Sequence, residues 1–267
     1  MSFPANQGKP WVLITGASSG IGEVFAKRFA HEGWNIVLNG RSADKLESLA
    51  KTLAAENETE TVVIKADLAL RESPRNIYEE LKRRKIELYG LVNNAGFGFG
   101  GAFAEVPLDQ YLGMIDVMIR ALVELSGLFL PEMIRRKRGL IINVSSTASF
   151  TPLPYSSVYS ASKAFATSFT EALWLETQGT GVRILNLCPG LTKTDFGIRA
   201  GLRDFRDDPF AQSPEEVVET AFRALKGNSP IAISGLRNKI LTFLIRYFPH
   251  WFVLRVVLWV QKSRGRV

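Results

Sequence analysis

Tyr159 and Lys163 stand four residues apart in the segment Tyr159-Ser160-Ala161-Ser162-Lys163, within a pattern that predicts a helix over 157–178, so both side chains reach one face. A phenol is a weak acid with an ordinary pKa of about 10. Work near neutral pH asks for a downward shift of about three units, or roughly 4 kcal/mol. An ammonium about 4 Å from the developing phenolate supplies about that much at an intermediate effective dielectric. The pair is therefore expected to give a proton to, or take one from, an oxygen bound in front of it. Ser145 and Ser146 stand at the end of a predicted strand just upstream, and strand alternation lets only one of them face the same cleft. Tyr155 has Tyr159, not a lysine, four residues on, and reads as a pocket wall.

A second constellation lies near the N-terminus. Thr15-Gly16-Ala17-Ser18-Ser19-Gly20-Ile21-Gly22 follows one predicted strand and opens directly into a predicted helix. Small residues let the backbone turn tightly and approach a pyrophosphate, whose charge meets the free N–H groups at the helix N-terminus. Gly16, Ser18, Ser19, Gly20, Ile21 and Gly22 are thus candidate dinucleotide contacts. After the second strand the chain reads Leu38-Asn39-Gly40-Arg41-Ser42. No carboxylate is present there to accept from a ribose 2′-OH and repel a 2′-phosphate, and Arg41 offers a planar donor array suited to phosphate. The expected cofactor is NADP(H); the plainer reading of Arg41 is a solvated surface arginine.

The elements that must position these residues alternate along the chain. Apolar runs predict strands over 11–15, 35–39, 61–66, 88–93, 140–145 and 182–188, and amphipathic stretches predict helices over 20–31, 43–56, 74–85, 108–136, 157–178 and 214–226. Such alternation, with wholly apolar strands, argues for a doubly wound Rossmann domain: a mostly parallel, seven-stranded sheet with helices on both faces. Ligands on such sheets bind outside the carboxyl ends of the strands. The catalytic domain is expected over 1–235, with a loop over about 190–212 placed to cover substrate, and 236–267 as a helical extension of it.

At 267 residues with near-zero mean hydropathy, the chain suits one globular domain with a full core. The 10 N-terminal residues lack the apolar stretch of a cleaved leader, so a cytoplasmic setting is expected. The single cysteine, Cys188, lies in an apolar run and is expected to be a buried, inert thiol. His31 and His250 have no partner at ligand spacing, so no metal site is expected.

The net charge of +7 is segregated, since from Arg237 onward there are seven Lys or Arg and no Asp or Glu, leaving 1–236 balanced. A nucleic-acid surface spread over a folded face is therefore not indicated. Pro249 splits the tail into two helices too short to span a bilayer, and Arg246, His250 and Arg255 interrupt the apolar run. Dense Trp, Phe and Leu with only basic charge suit an anionic membrane interface, while a flap over the substrate pocket or a contact between subunits would bury the same residues.

Four segments spread over residues 11–194 together resemble the short-chain dehydrogenase/reductase superfamily: the glycine loop, Asn93-Asn94-Ala95-Gly96, Tyr159-Ser160-Ala161-Ser162-Lys163, and Pro189-Gly190 followed by Thr194. The resemblance implies hydride transfer between NADP(H) and a carbonyl or alcohol, with Tyr159 as general acid or base and Lys163 also holding ribose hydroxyls. It favours Ser146, thirteen residues before Tyr159, over Ser145 as the group that fixes the substrate oxygen. It further implies that Asp67 and Leu68 flank the adenine, that Asn93, Ala95 and Gly96 line the cofactor, and that Pro189, Gly190, Thr192 and Thr194 hold the nicotinamide carboxamide. A homodimer or homotetramer through the helices over 108–136 and 157–178 is implied as well. Phe97, Phe99, Phe103, Leu153 and the apolar tail point to a lipophilic substrate.

The chain departs from the family at Met118, where many members carry an asparagine thought to support a water relay from the lysine to solvent. A thioether is only a weak acceptor. That substitution keeps a second class of function open, an NADP(H)-binding sensor or scaffold with little turnover.

Overall fold

In the computed structural model, which describes residues 8–202, 204–245 and 247–263, seven parallel strands form one sheet. They are β1 (Trp11–Thr15), β2 (Asn35–Gly40), β3 (Thr61–Lys65), β4 (Leu88–Asn93), β5 (Gly139–Val144), β6 (Val182–Cys188) and β7 (Ile231–Ile233), in spatial order β3-β2-β1-β4-β5-β6-β7. The order reverses between β1 and β4, which opens a crevice at their carboxyl ends. Strand alternation divides the apolar residues between two cores. Val12, Ile14, Ile36 and Leu38 face one core, closed by α1 (Gly20–His31), α2 (Ala43–Asn57) and the later α8 (Pro214–Ala224). Leu13, Val37 and Leu91 face the other, closed by α3 (Ser73–Arg83), α4 (Leu108–Ile115), α5 (Ala121–Arg135) and α6 (Ser157–Glu176). The doubly wound architecture expected from the sequence is the one observed.

Three departures matter for the site. The single helix expected over 108–136 is interrupted by a π-helical turn, Asp116–Arg120, with Met118 at its centre. Arg120 fastens this turn, pairing through Nε with Asp116 at 2.7 Å and donating through Nη2 to the Leu68 carbonyl at 3.0 Å. One wider turn leaves the apolar periodicity almost unchanged, so sequence spacing does not reveal it. The stretch expected as loop after Gly190 contains α7 (Phe196–Arg199) and a bridge between Thr192 and Gln212. The seventh strand is only three residues long, too short to leave a periodic signal.

Beyond β7 the chain forms α9 (Leu236–Ile245) and α10 (His250–Ser263), with Pro249 between them. Among the described residues no helix is long and apolar enough to cross a membrane. Arg246, the N-terminal residues 1–7 and the basic residues Arg264 and Arg266 lie outside the described residues.

Candidate active site

A cavity of about 1060 Å³ follows the carboxyl ends of the strands. It runs from Asn39 and Arg41 after β2, past the glycine loop and Asp67-Leu68, to Ser146, Tyr159 and Lys163, and ends against α9 and α10.

The glycine loop is shaped for a diphosphate. Gly16 and Gly20 adopt left-handed φ values of +66° and +59°, which L side chains rarely adopt. Gly22 lets α1 close onto the loop, since a Cβ there would lie 2.3 Å from the Gly16 carbonyl oxygen. Ser19 caps α1 without a side-chain hydrogen bond, so the first-turn N–H groups have no capping side chain. Their positive end and small neighbours suit an anion. The loop is braced from β4: Thr15 Oγ1 accepts from the Asn94 and Ala95 N–H groups at 2.9 and 3.0 Å, and Asn94 Nδ2 donates to the Thr15 carbonyl at 2.9 Å. At the other end of the crevice Arg41 is exposed and forms no ion pair among the described residues. Asn39 donates through Nδ2 to the Ile64 carbonyl at 3.0 Å, while its buried Oδ1 has no partner. These features fit an adenine dinucleotide with its diphosphate on the α1 N-terminus.

Ser146, Tyr159 and Lys163 line one stretch of the cavity wall. Ser146 Oγ accepts from the Ala148 N–H at 3.1 Å and donates to the Pro189 carbonyl at 3.4 Å. Ser145 is turned into the protein, donating to the Lys163 carbonyl at 2.8 Å and accepting from Thr167 Oγ1 at 2.9 Å. Of the two serines, it is Ser146 that hydrogen-bonds to the Tyr159 hydroxyl. The ring of Phe196 packs on Tyr159 with centroids 5.5 Å apart.

The electrostatics run opposite to the expectation from spacing. Burial pushes the Tyr159 phenol up to about 12, and the hydrogen bond with Ser146 pulls only partway back. Burial likewise pushes the Lys163 ammonium down to about 8, against a smaller opposing pull from Cys188. Lys163 Nζ donates to the Val144 carbonyl at 2.8 Å and stands 5.8 Å from the Tyr159 ring centroid, so its charge serves that carbonyl rather than the phenol. Spacing of four placed both groups on one face but said nothing of desolvation or of a competing acceptor. Cys188, behind this wall, is buried, and burial pushes its thiol up to about 12.

Most sequence-derived candidates line the cavity: Gly16, Ser18, Ser19, Gly20, Ile21, Arg41, Asp67, Leu68, Ala95, Gly96, Pro189, Gly190, Thr192 and Thr194. Two do not. Gly22 is used for packing, and Asn93 is buried in a polar ladder, donating to Asn143 Oδ1 at 2.9 Å and Ser126 Oγ at 3.2 Å. Asn94, one residue on, faces the cavity instead, because β4 ends at Asn93 and the chain turns there. Tyr155 is not part of the wall either: its backbone is left-handed, with φ 63°, and its carbonyl accepts from the Gly101 N–H at 3.0 Å. Phe103 is exposed and stacks on Tyr111, whereas Phe97, Phe99 and Leu153 line the cavity.

Met118 is buried, and a Cβ at Gly96 would lie 3.2 Å from its sulfur. It bounds a small void of about 10 Å³ together with Asn93 and Lys163. Asn93 Oδ1 is buried without a partner.

The far half of the cavity is lined by residues of the stretch after Gly190 and of the tail, which the sequence did not single out one by one. Phe196, Leu202, Phe205 and Phe210 form one side, and Leu241, Ile245, Phe248, Val253 and Val257 of the two last helices form the other. Arg237 lies 3.7 Å over the Phe210 ring, at the seam between them. One face of the tail therefore lines the cavity. Its signal was the alternation of apolar residues within α9 and α10.

The short chain dehydrogenase family profile matches residues 10–202. Sulfoacetaldehyde reductase 2 of Chromohalobacter salexigens is 39% identical over 187 residues, 69% of this chain and 73% of that protein. The very-long-chain 3-oxoacyl-CoA reductase of Homo sapiens is 31% identical over 260 residues, 95% of this chain and 80% of that one. Among solved structures, a short-chain dehydrogenase from Sphingobium yanoikuyae in complex with NADPH superposes with a TM-score of 0.81 at 30% identity, covering 95% of each chain.

Proposed function

The chain belongs to the short-chain dehydrogenase/reductase family, and from that premise we propose that it is an NADP(H)-dependent oxidoreductase that interconverts a carbonyl and an alcohol on a lipophilic substrate. The observation that carries this reading is the meeting, in one cavity, of the glycine loop, the Ser146–Tyr159–Lys163 wall and an apolar chamber. The nicotinamide, when bound, supplies or accepts the hydride. Ser146 holds the substrate oxygen, and Tyr159 gives that oxygen its proton. A phenol pushed up to about 12 keeps its proton throughout the physiological range, which is the state reduction requires. Lys163, by turning from the Val144 carbonyl toward the ribose, would bring its charge nearer the phenol and ease the reverse transfer. Arg41, with no acidic neighbour claiming it, supports NADP(H) over NAD(H).

The apolar residues around Phe205, Phe248 and Val257 support a substrate with a long or bulky hydrocarbon part. Exposed Leu112, Ile115, Phe165 and Leu175 on α4 and α6 support a homo-oligomer through that side. The test is NADPH oxidation against a panel of long-chain and cyclic ketones, with wild type and Tyr159→Phe side by side. Turnover with wild type and a loss of about a hundredfold or more in the variant is expected. Near-full turnover in Tyr159→Phe overturns the mechanism, and cofactor binding without turnover on any ketone favours the sensor reading.

A further inference from the structure

We propose that the face of α9 and α10 turned away from the cavity docks the protein on an anionic phospholipid surface. Each of these helices is apolar on two faces, and the cavity uses only one. Ile240, Phe243 and Tyr247 follow one another at helical spacing and are 51%, 58% and 71% exposed, and none of them lines the cavity. On α10, Trp251, Arg255 and Trp259 stand four apart on one stripe, the two tryptophans 61% and 68% exposed, with the Arg255 guanidinium 5.5 Å from the Trp251 ring centroid. Six of the exposed large apolar side chains among the described residues, Leu236, Ile240, Phe243, Tyr247, Trp251 and Trp259, belong to α9, α10 and their junction and lie outside the cavity. A patch this concentrated is a contact surface rather than the scatter usual on a soluble protein.

Charge selects the occupant. Arg255 lies in the stripe, Lys239 and Lys262 are exposed on the same two helices, and no Asp or Glu occurs after residue 236, so the whole net charge of +7 sits in this segment. A second copy meeting this face symmetrically would set those cations against their own counterparts. An anionic bilayer satisfies both features at once, because tryptophan and tyrosine settle at the headgroup level and the cations meet lipid phosphate. Fourteen residues of α10 span only about 21 Å and carry Arg255 mid-length, so the helix lies along the surface and does not cross it. Docking in this manner does not depend on which reaction the cavity carries out.

The test is cosedimentation of the full chain with vesicles of pure phosphatidylcholine, or of phosphatidylcholine containing a minority of phosphatidylglycerol. Wild type is expected to sediment with the anionic vesicles and far less with the neutral ones, and raised salt should weaken the binding. Trp251→Glu/Trp259→Glu should bind anionic vesicles at least about tenfold more weakly. Its NADPH binding and melting temperature should match wild type, because neither tryptophan reaches the cavity. Equal vesicle binding by wild type and the double variant overturns the proposal, as does wild type remaining in the supernatant. Should wild type instead form a larger oligomer that the double variant breaks up, the face joins copies of this chain and the proposal also falls.

Discussion

Asn238 on α9 rests directly on Gly190 at the end of β6, so closely that a Cβ at Gly190 would lie 2.3 Å from Asn238 Nδ2. Asn238 is itself held by a 2.7 Å bond to the Ser234 carbonyl. The flap over the apolar chamber is thus seated on the segment proposed to hold the nicotinamide, and the two parts of the cavity share a support.

Gly190→Ala should therefore unseat α9 while leaving the sheet intact. Asn238 must rotate away and give up its bond to Ser234, a loss of about 1 kcal/mol or more. Hydrogen exchange in α9 is expected to rise in this variant and to return toward wild type in Gly190→Ala/Asn238→Ala, where the obstruction is gone. Equal protection of α9 in wild type and Gly190→Ala would show that the contact is slack.

Lys163 makes stability depend on pH in a defined window. Its folded value of about 8 lies below the ordinary 10.5, so between those values the unfolded chain retains a proton that the folded chain has released. Stability then rises with pH across that window, and below about 8 both forms are charged and the full burial penalty stands. The difference amounts to about 3 kcal/mol. Urea unfolding of wild type and Lys163→Met at several pH values should show wild type gaining on the variant from about pH 8 upward. Parallel curves would count against a lysine whose proton is weakened by burial.

Met118→Asn should remain folded and bind cofactor, with equal or higher turnover. The new amide would face the void shared with Lys163 and the unpartnered Asn93 Oδ1. Placing a polar group among core residues costs about 1–3 kcal/mol where it is not fully bonded, so a lower melting temperature is expected. A severe loss of turnover in the folded variant would give the thioether a positive role.

Arg41→Ala should reduce kcat/KM with NADPH about tenfold to a hundredfold and leave NADH nearly unaffected, in line with the loss of one or two charge-assisted bonds. Equal losses with both cofactors would assign Arg41 to the surface.

Much of this arrangement is legible in the sequence because it is governed by period and by local turns. The strand from Trp11 to Thr15, the glycine loop and the α1 start are read from neighbouring residues alone. Tyr159 and Lys163 are linked by helix geometry in the same way. What could not be read depends on groups distant in the chain. The one-residue difference between Asn93 and Asn94 is decided by where β4 stops, and the direction of the Tyr159 shift by the burial of its phenol in the assembled fold. The two tail helices were visible as elements, but their seat on Gly190 arises only when β6 and α9 meet in space.

Cys188 has a practical consequence. It is the single cysteine of the chain, buried, with its thiol pushed up to about 12. Because the thiolate is the reactive form, the native protein should be nearly silent toward alkylating reagents. A cysteine introduced at an exposed position such as Tyr247 would then carry a probe alone, without removal of the native one. Labelling of Cys188 itself, buried at the carboxyl end of β6, would serve as a clock for opening of the fold around it.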